Sequence, residues 1–113
     1  MIYPFGGHHI QRFYWGTRET LFPVYTSLTE AVKKHPDVGI IVNFASSQSV
    51  YSSTPECLEF QSTRAIALIT EGVPERQARE ILVKAHEKGV LIIGPAIVGG
   101  IKPGCFRIGN SGG

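Results

Sequence analysis

Short apolar runs alternate with helix-like segments along most of this 113-residue chain. The runs at 39–45, 64–69 and 90–93 consist largely of Ile, Val, Leu and Ala, and a weaker run lies at 22–25. Nearly continuous apolar strands are typical of parallel sheets, because helices cover both faces of such a sheet. The sequence therefore predicts an α/β fold, namely an incomplete doubly wound, Rossmann-like parallel sheet with helices on both faces.

The first predicted helix runs from about residue 28 to residue 35. Ser27 and Glu30 have the spacing of a capping box, and Pro36 ends the segment. Its apolar residues recur at helical spacing and predict a buried stripe of Leu28, Ala31 and Val32.

Prolines and glycines set the limits of the remaining segments. A second helix is predicted at 55–60 because Pro55 is suited to a first helical position. A third helix opens at Pro74 and ends at Gly89. After Pro95 the glycine-rich sequence predicts irregular loop with room for one short strand.

Composition restricts the function classes. The formal net charge is +2, and Lys and Arg are scattered, so the sequence predicts no nucleic-acid binding. No run reaches the ~20 apolar residues of a membrane span, and no leader is recognisable. Cys57 and Cys105 form no paired motif, which argues against a zinc site or a disulfide framework and favours a cytoplasmic, reducing location.

Candidate binding residues follow the predicted strands, since ligands of parallel sheets bind outside the carboxyl ends of the strands. The strand predicted at 39–45 is followed by Ser46, Ser47, Gln48 and Ser49, which suit phosphate, ribose or a base edge. Glu71 follows the next strand and has two interpretations: a catalytic or ligand-orienting carboxylate, or a cap of the helix at Pro74. Position alone favours the cap.

Several familiar motifs are absent. The segment GPAIVGGIK fails as a phosphate loop because Gly100 stands where Lys is required and Lys102 comes too late. His8 and His9 have no evident companion ligands, so no metal site is predicted. Neither cysteine is marked as a nucleophile.

Six strings closely resemble ATP-citrate lyases, in the region homologous to the α subunit of succinyl-CoA synthetase. They are YPF at 3–5, RFYWG at 12–16, HPDV at 35–38, NFAS at 43–46, EGVPE at 71–75 and IIGPAIVGGIKPGCFRIGNSGG at 92–113. The resemblance implies a coenzyme A-binding domain over 1–113 that lacks both the opening βα unit and the downstream phosphohistidine domain.

The resemblance also implies a reaction, in which citrate, ATP and CoA give acetyl-CoA, oxaloacetate, ADP and phosphate. It implies a catalytic Glu71, which reverses the preference for a cap, and a set of CoA contacts: Phe44, Ser46, Gln48, Ser49, Ile69 and Thr70. ATP and Mg²⁺ would bind outside this segment. The remainder of the enzyme or a partner subunit would complete the site, and the complete enzyme would be a homotetramer.

One departure from the family concerns Gln48, which stands where the family usually has Arg and so removes a charge that could pair with a CoA phosphate. None of the four histidines matches the phosphorylated one of the family. The isolated segment is therefore expected to be inactive. Two alternatives stay open: an inactive, truncated CoA-binding module, and a fragment of a succinyl-CoA synthetase-type ligase.

Overall fold

The computed structural model describes residues 1–3, 10–95, 99–102 and 106–109 of the chain. The chain divides into two compact units, Met1–Asp37 and Val38–Gly113. Each unit has its own pattern of strands and helices.

The first unit contains a two-stranded antiparallel hairpin that the sequence reading missed. β1 (Ile10–Trp15) pairs with β2 (Arg18–Pro23) around a two-residue turn, in which Gly16 has a φ of 63°. Glycine adopts that left-handed conformation without a Cβ clash, and such turns match the twist of hairpin strands. The strand expected at 22–25 was therefore placed wrongly, because residues 22 and 23 belong to the antiparallel β2.

Helix α1 (Leu28–Lys34) begins where the capping signal predicts. The Ser27 Oγ accepts a hydrogen bond from the Glu30 N–H at 3.2 Å. The Glu30 carboxylate accepts from the Thr26 hydroxyl at 3.3 Å, so the described contacts show only one half of a reciprocal capping box. The predicted stripe of apolar residues is half-buried rather than buried.

The second unit is built on a three-stranded parallel sheet, which confirms the predicted fold class. The strands are β3 (Ile40–Asn43), β4 (Ala65–Leu68) and β5 (Leu91–Ile93), in the order β3-β4-β5. They alternate with α2 (Val50–Leu58) and α3 (Glu75–Glu87). A second antiparallel hairpin, β6 (Gly99–Lys102) and β7 (Phe106–Gly109), lies where we expected loop with one short strand.

Helix α2 begins five residues before its predicted start. The Ser46 carbonyl accepts hydrogen bonds from the N–H groups of Ser49 and Val50, both at 2.9 Å, and this turn leads directly into the helix. Pro55 consequently lies inside α2, where it supplies no N–H to the preceding turn. The preference of proline for a first helical position is overridden by the turn before it.

Helix α3 has the limits that the sequence predicts. Pro74 is its N-cap residue, and Gly89, with a φ of 69°, follows the C-cap residue Lys88. None of the helices in the described ranges is long and apolar enough to cross a membrane.

The core lies between the sheet and the two helices. Ile66 and Leu68 of β4 are fully buried, and α2 and α3 contribute Val50, Ile81 and Ala85. Successive right-handed crossovers in one direction place α2 and α3 on the same face. The face of the sheet opposite these helices carries Ile40, Leu91 and Ile93, which are 67%, 62% and 45% exposed. Within the described part of this unit, helices therefore cover one face of the sheet and not both faces as predicted.

Two leucines of neighbouring strands test this description. Leu68→Ala should lower the free energy of unfolding by about 2–5 kcal/mol, because the side chain is fully buried and its removal leaves a cavity. The same change at the exposed Leu91 should cost under about 1 kcal/mol. Urea unfolding followed by far-UV circular dichroism measures both values, and equal losses would contradict the one-sided core.

Candidate functional site

Three loops leave the carboxyl edge of the parallel sheet. They follow β3 at 44–49, β4 at 69–74 and β5 from residue 94 onward, and residues 96–98 of the third loop lie outside the described residues. The carboxyl ends of parallel strands meet at one edge, so the three loops begin at a common rim, and the first two are described throughout. We call these two segments the serine loop (44–49) and the glutamate loop (69–74).

The serine loop presents most of its polar groups to solvent. Phe44 is 63% exposed, and Ser46, Gln48 and Ser49 are also exposed. The Ser46 hydroxyl donates to the Ser49 hydroxyl at 3.2 Å, a local bond within the turn that opens α2. Four of the predicted contact residues are therefore accessible to a ligand and close together in the chain.

The glutamate loop lies beside the serine loop. The Ile69 N–H donates to the Asn43 carbonyl at 3.0 Å, which extends the β3–β4 pairing to the rim. Gly72 has a φ of 77°, and a Cβ added there would lie 3.9 Å from the Cβ of Ser47. Ile69 and Thr70 are half-buried, and the Thr70 hydroxyl donates to the Glu71 carbonyl at 3.4 Å. The structure thus brings the two predicted groups of contact residues to adjacent loops.

Glu71 is the third residue of this loop, is exposed and does not cap a helix. The N-cap residue of α3 is Pro74, and no side chain makes a capping hydrogen bond there. The carboxylate in the first turn of α3 belongs instead to Glu75, which forms an ion pair with Arg79. The capping interpretation of Glu71 is therefore wrong, and its catalytic role stays a prediction.

A hydrogen bond joins the two helices that follow these loops. The Tyr51 hydroxyl of α2 donates to the Glu80 carboxylate of α3, and Arg76 lies 3.4 Å from the same carboxylate. The hydrogen bond from Tyr51 lowers the pKa of Glu80, and the acceptor carboxylate raises the pKa of Tyr51. At neutral pH the pair therefore holds an ionised Glu80 and a neutral Tyr51, which links α2 to α3 near the rim.

Other candidates from the sequence are placed as follows. Gly99 and Gly100 lie in β6, which is consistent with rejecting a phosphate loop there. His8, His9 and Cys105 lie outside the described residues. Within the described ranges, no group of three or more His, Cys, Asp and Glu side chains could hold a metal ion.

Asn43 was missed as a site residue by the sequence reading. It is the last residue of β3, and its side chain forms hydrogen bonds with Ala45 in the serine loop and with Ser53 in α2. The available signal was its position: a polar residue that closes an otherwise apolar run, directly before the loop.

Comparison with known proteins identifies close relatives, although no family model matches the chain. All 113 residues align at 62% identity with a probable ATP-citrate synthase subunit 1 of Neurospora crassa and at 63% with that of Schizosaccharomyces pombe. Identity with the human ATP-citrate synthase is 55%. The chain spans 17%, 18% and 10% of these proteins, respectively.

Solved structures show the same fold. ATP citrate lyase from Methanothrix soehngenii, in complex with citrate and coenzyme A, superposes with a TM-score of 0.87 at 41% identity, over 96% of this chain and 18% of that one. A mutant ATP citrate lyase from Methanosaeta concilii, in complex with (3S)-citryl-CoA, gives 0.81 at 42% identity, over 89% and 16%.

A parallel α/β unit with polar loops at the carboxyl edge of its sheet is the type of domain that binds nucleotide-like ligands. Sequence identity along the whole chain, together with this fold, makes the assignment specific. The chain is homologous over its full length to a segment of the ATP-citrate synthases, which are also called ATP citrate lyases.

Cys57 provides a test of the described core near this site. Burial raises the pKa of its thiol to about 11, and the thiol lies 3.5 Å from the Ser53 carbonyl. A rise of about two pKa units reduces the thiolate fraction at pH 8 about a hundredfold. In a Cys105→Ser chain, Cys57 should therefore react with Ellman's reagent at least that much more slowly in the native state than in guanidinium. Equal rates would show that Cys57 is exposed.

Proposed function

We propose that this chain forms part of an ATP-citrate lyase, in which the complete enzyme converts citrate, CoA and ATP into acetyl-CoA, oxaloacetate, ADP and phosphate. In this proposal the segment contributes to CoA binding and places a carboxylate close to the phosphohistidine. The observation that carries it is the pair of adjacent rim loops in a chain 62% identical to an ATP-citrate synthase subunit. The similar structure with bound citrate and coenzyme A supports the choice of ligand.

The serine loop would bind CoA through complementary groups. The exposed Phe44 ring offers an apolar face for stacking, and the Ser46 and Ser49 hydroxyls and the Gln48 amide offer hydrogen bonds to phosphate or ribose. All four side chains are neutral, so the loop would position CoA by shape and hydrogen bonding rather than by charge.

The glutamate loop would complete the CoA site and supply the reactive carboxylate. Ile69 and Thr70 would contact the ligand from the side of β4, and Glu71 would orient the phosphohistidine or stabilise its charge. Its exposure and its freedom from a capping bond leave the Glu71 carboxylate available for that role.

The rest of the enzyme would provide what this segment lacks. ATP and Mg²⁺ would bind there, the phosphohistidine would come from there or from a partner subunit, and the complete enzyme would be a cytoplasmic homotetramer. The isolated 113-residue chain would then be inactive. A succinyl-CoA synthetase-type ligase is the second candidate, and the choice of acid substrate separates the two.

A charge-removing change at Glu71 tests the proposal in the complete enzyme. With ATP, Mg²⁺ and CoA, the wild type should form oxaloacetate from citrate and show no ADP release with succinate. Glu71→Gln keeps the shape of the side chain and should lower turnover by roughly a hundredfold, the scale of a positioned electrostatic group. Steady-state turnover and the melting temperature would be measured together.

The control is Glu59→Gln, which removes the same charge from an exposed residue at the far end of α2. Turnover of this variant should match the wild type. Normal turnover of Glu71→Gln would remove Glu71 from the catalytic residues, and activity with succinate instead of citrate would favour the second candidate.

The neutral Gln48 gives a separate prediction about affinity. Gln48→Arg should lower the Kd for CoA by roughly three- to tenfold, because a charge-assisted bond to phosphate is stronger than a neutral one. The gain should shrink as salt is added. Isothermal titration with CoA and with dephospho-CoA would show whether the 3′-phosphate is involved.

The matched control for charge is Gln61→Arg, an exposed glutamine close to the amino edge of the sheet. It adds the same charge away from the rim and should leave the Kd for CoA unchanged. If Gln61→Arg tightened binding as much as Gln48→Arg, the effect would be general attraction, and the serine loop would not be the CoA site.

A further inference from the structure

Asn43 occupies the point at which the two rim loops meet. It is the last residue of β3 and lies opposite Leu68, the last residue of β4. Leu68 is fully buried on the face that α2 and α3 cover, and the Asn43 side chain lies on the same face and is half-buried. Its amide is therefore held beneath the helices instead of extending towards a ligand.

Besides the pairing of β3 with β4, three hydrogen bonds of Asn43 reach the rim loops and α2. The side-chain Oδ1 accepts from the Ala45 N–H at 2.9 Å, and Nδ2 donates to the Ser53 Oγ at 3.0 Å. The backbone carbonyl accepts from the Ile69 N–H at 3.0 Å. One residue thus bonds to the serine loop, to α2 and to the glutamate loop.

We infer that Asn43 is a positioning residue for CoA, which sets the serine loop against α2 and the glutamate loop without touching the ligand itself. This inference rests on the proposed function, since it assigns the serine loop to CoA. The hydrogen bond from the Ala45 N–H to the Asn43 side chain holds the loop in a turn directly after the strand. This turn places Phe44 and Ser46 at the rim.

The chemistry of the position distinguishes between substitutions. The side chain must accept from Ala45 and also form a hydrogen bond with Ser53, whose hydroxyl lies 3.5 Å from the Val50 carbonyl as well. An aspartate retains both bonds, because the Ser53 hydroxyl can donate to a carboxylate. An alanine retains neither bond. Comparing Asn43→Ala with Asn43→Asp therefore distinguishes the effect of losing the hydrogen bonds from the effect of changing the residue.

Steady-state kinetics of the complete enzyme provide the first measurement. Asn43→Ala should raise the KM and the Kd for CoA roughly tenfold, the scale of losing one or two net hydrogen bonds, with the KM for citrate nearly unchanged. Asn43→Asp should restore part of the CoA affinity, because it keeps both hydrogen bonds but adds a negative charge near the CoA phosphates, and the remaining loss should shrink as salt is added.

The control for stability is Thr63→Val. Thr63 is buried, and its hydroxyl donates to the Cys57 carbonyl at 2.9 Å, close to the amino edge of the sheet. This change should lower the melting temperature by removing a buried hydrogen bond, and it should leave the KM for CoA unaltered.

Hydrogen exchange of the backbone amides gives a readout that does not depend on activity. Peptides covering 44–49 should exchange faster in Asn43→Ala than in the wild type, and at the wild-type rate in Asn43→Asp. Peptides of α3 should be protected equally in all three proteins, because the bonds of Asn43 do not reach them.

The outcomes separate the inference from the function on which it rests. A wild-type enzyme that binds no CoA would overturn the proposed function. A wild-type enzyme that binds CoA, with an Asn43→Ala variant that only melts earlier and keeps its KM for CoA and its exchange at 44–49, would overturn the positioning role alone.

Discussion

The parallel pairing of β4 with both of its neighbours organises the second unit. In that register Ala67 lies between Val42 and Ile93, while Ile66 and Leu68 point towards the helices and are fully buried. A slip of one residue would move these side chains to the other face and expose them, so the apolar pattern strongly favours one register. The same register aligns the carboxyl ends of the strands, which is why the serine loop and the glutamate loop begin at one edge.

The rim is stabilised from beneath by bonds that do not involve its exposed side chains. Through hydrogen bonds, the Asn43 side chain connects the serine loop to α2, and its backbone carbonyl accepts from the Ile69 N–H of the glutamate loop. Tyr51 and Glu80 join the helices that follow those loops. The exposed residues Phe44, Gln48 and Glu71 therefore extend from a supported backbone.

Local signals in the sequence predicted part of the fold correctly. Ser27 caps α1, and Pro74 and Gly89 bound α3, because each acts through its own backbone or its nearest neighbours. Pro55 was misleading, since the turn at Ser46 starts α2 earlier than the proline suggests. The first hairpin was not predicted because a single glycine, Gly16, is a weak turn signal without the Asn-Gly or Asp-Gly pair that is typical of two-residue hairpin turns.

The sequence by itself determined the apolar strands, the limits of two helices and the kinship with ATP-citrate synthases, since residue patterns and identities suffice for these. Tertiary structure decided which loops meet. The approach of Gly72 to Ser47 and the bond from Ile69 to Asn43 join residues far apart in the chain. Tertiary structure also excluded Glu71 as a helix cap. Such contacts depend on strand order and register, which arise only when β3, β4 and β5 pair and the helices pack on them.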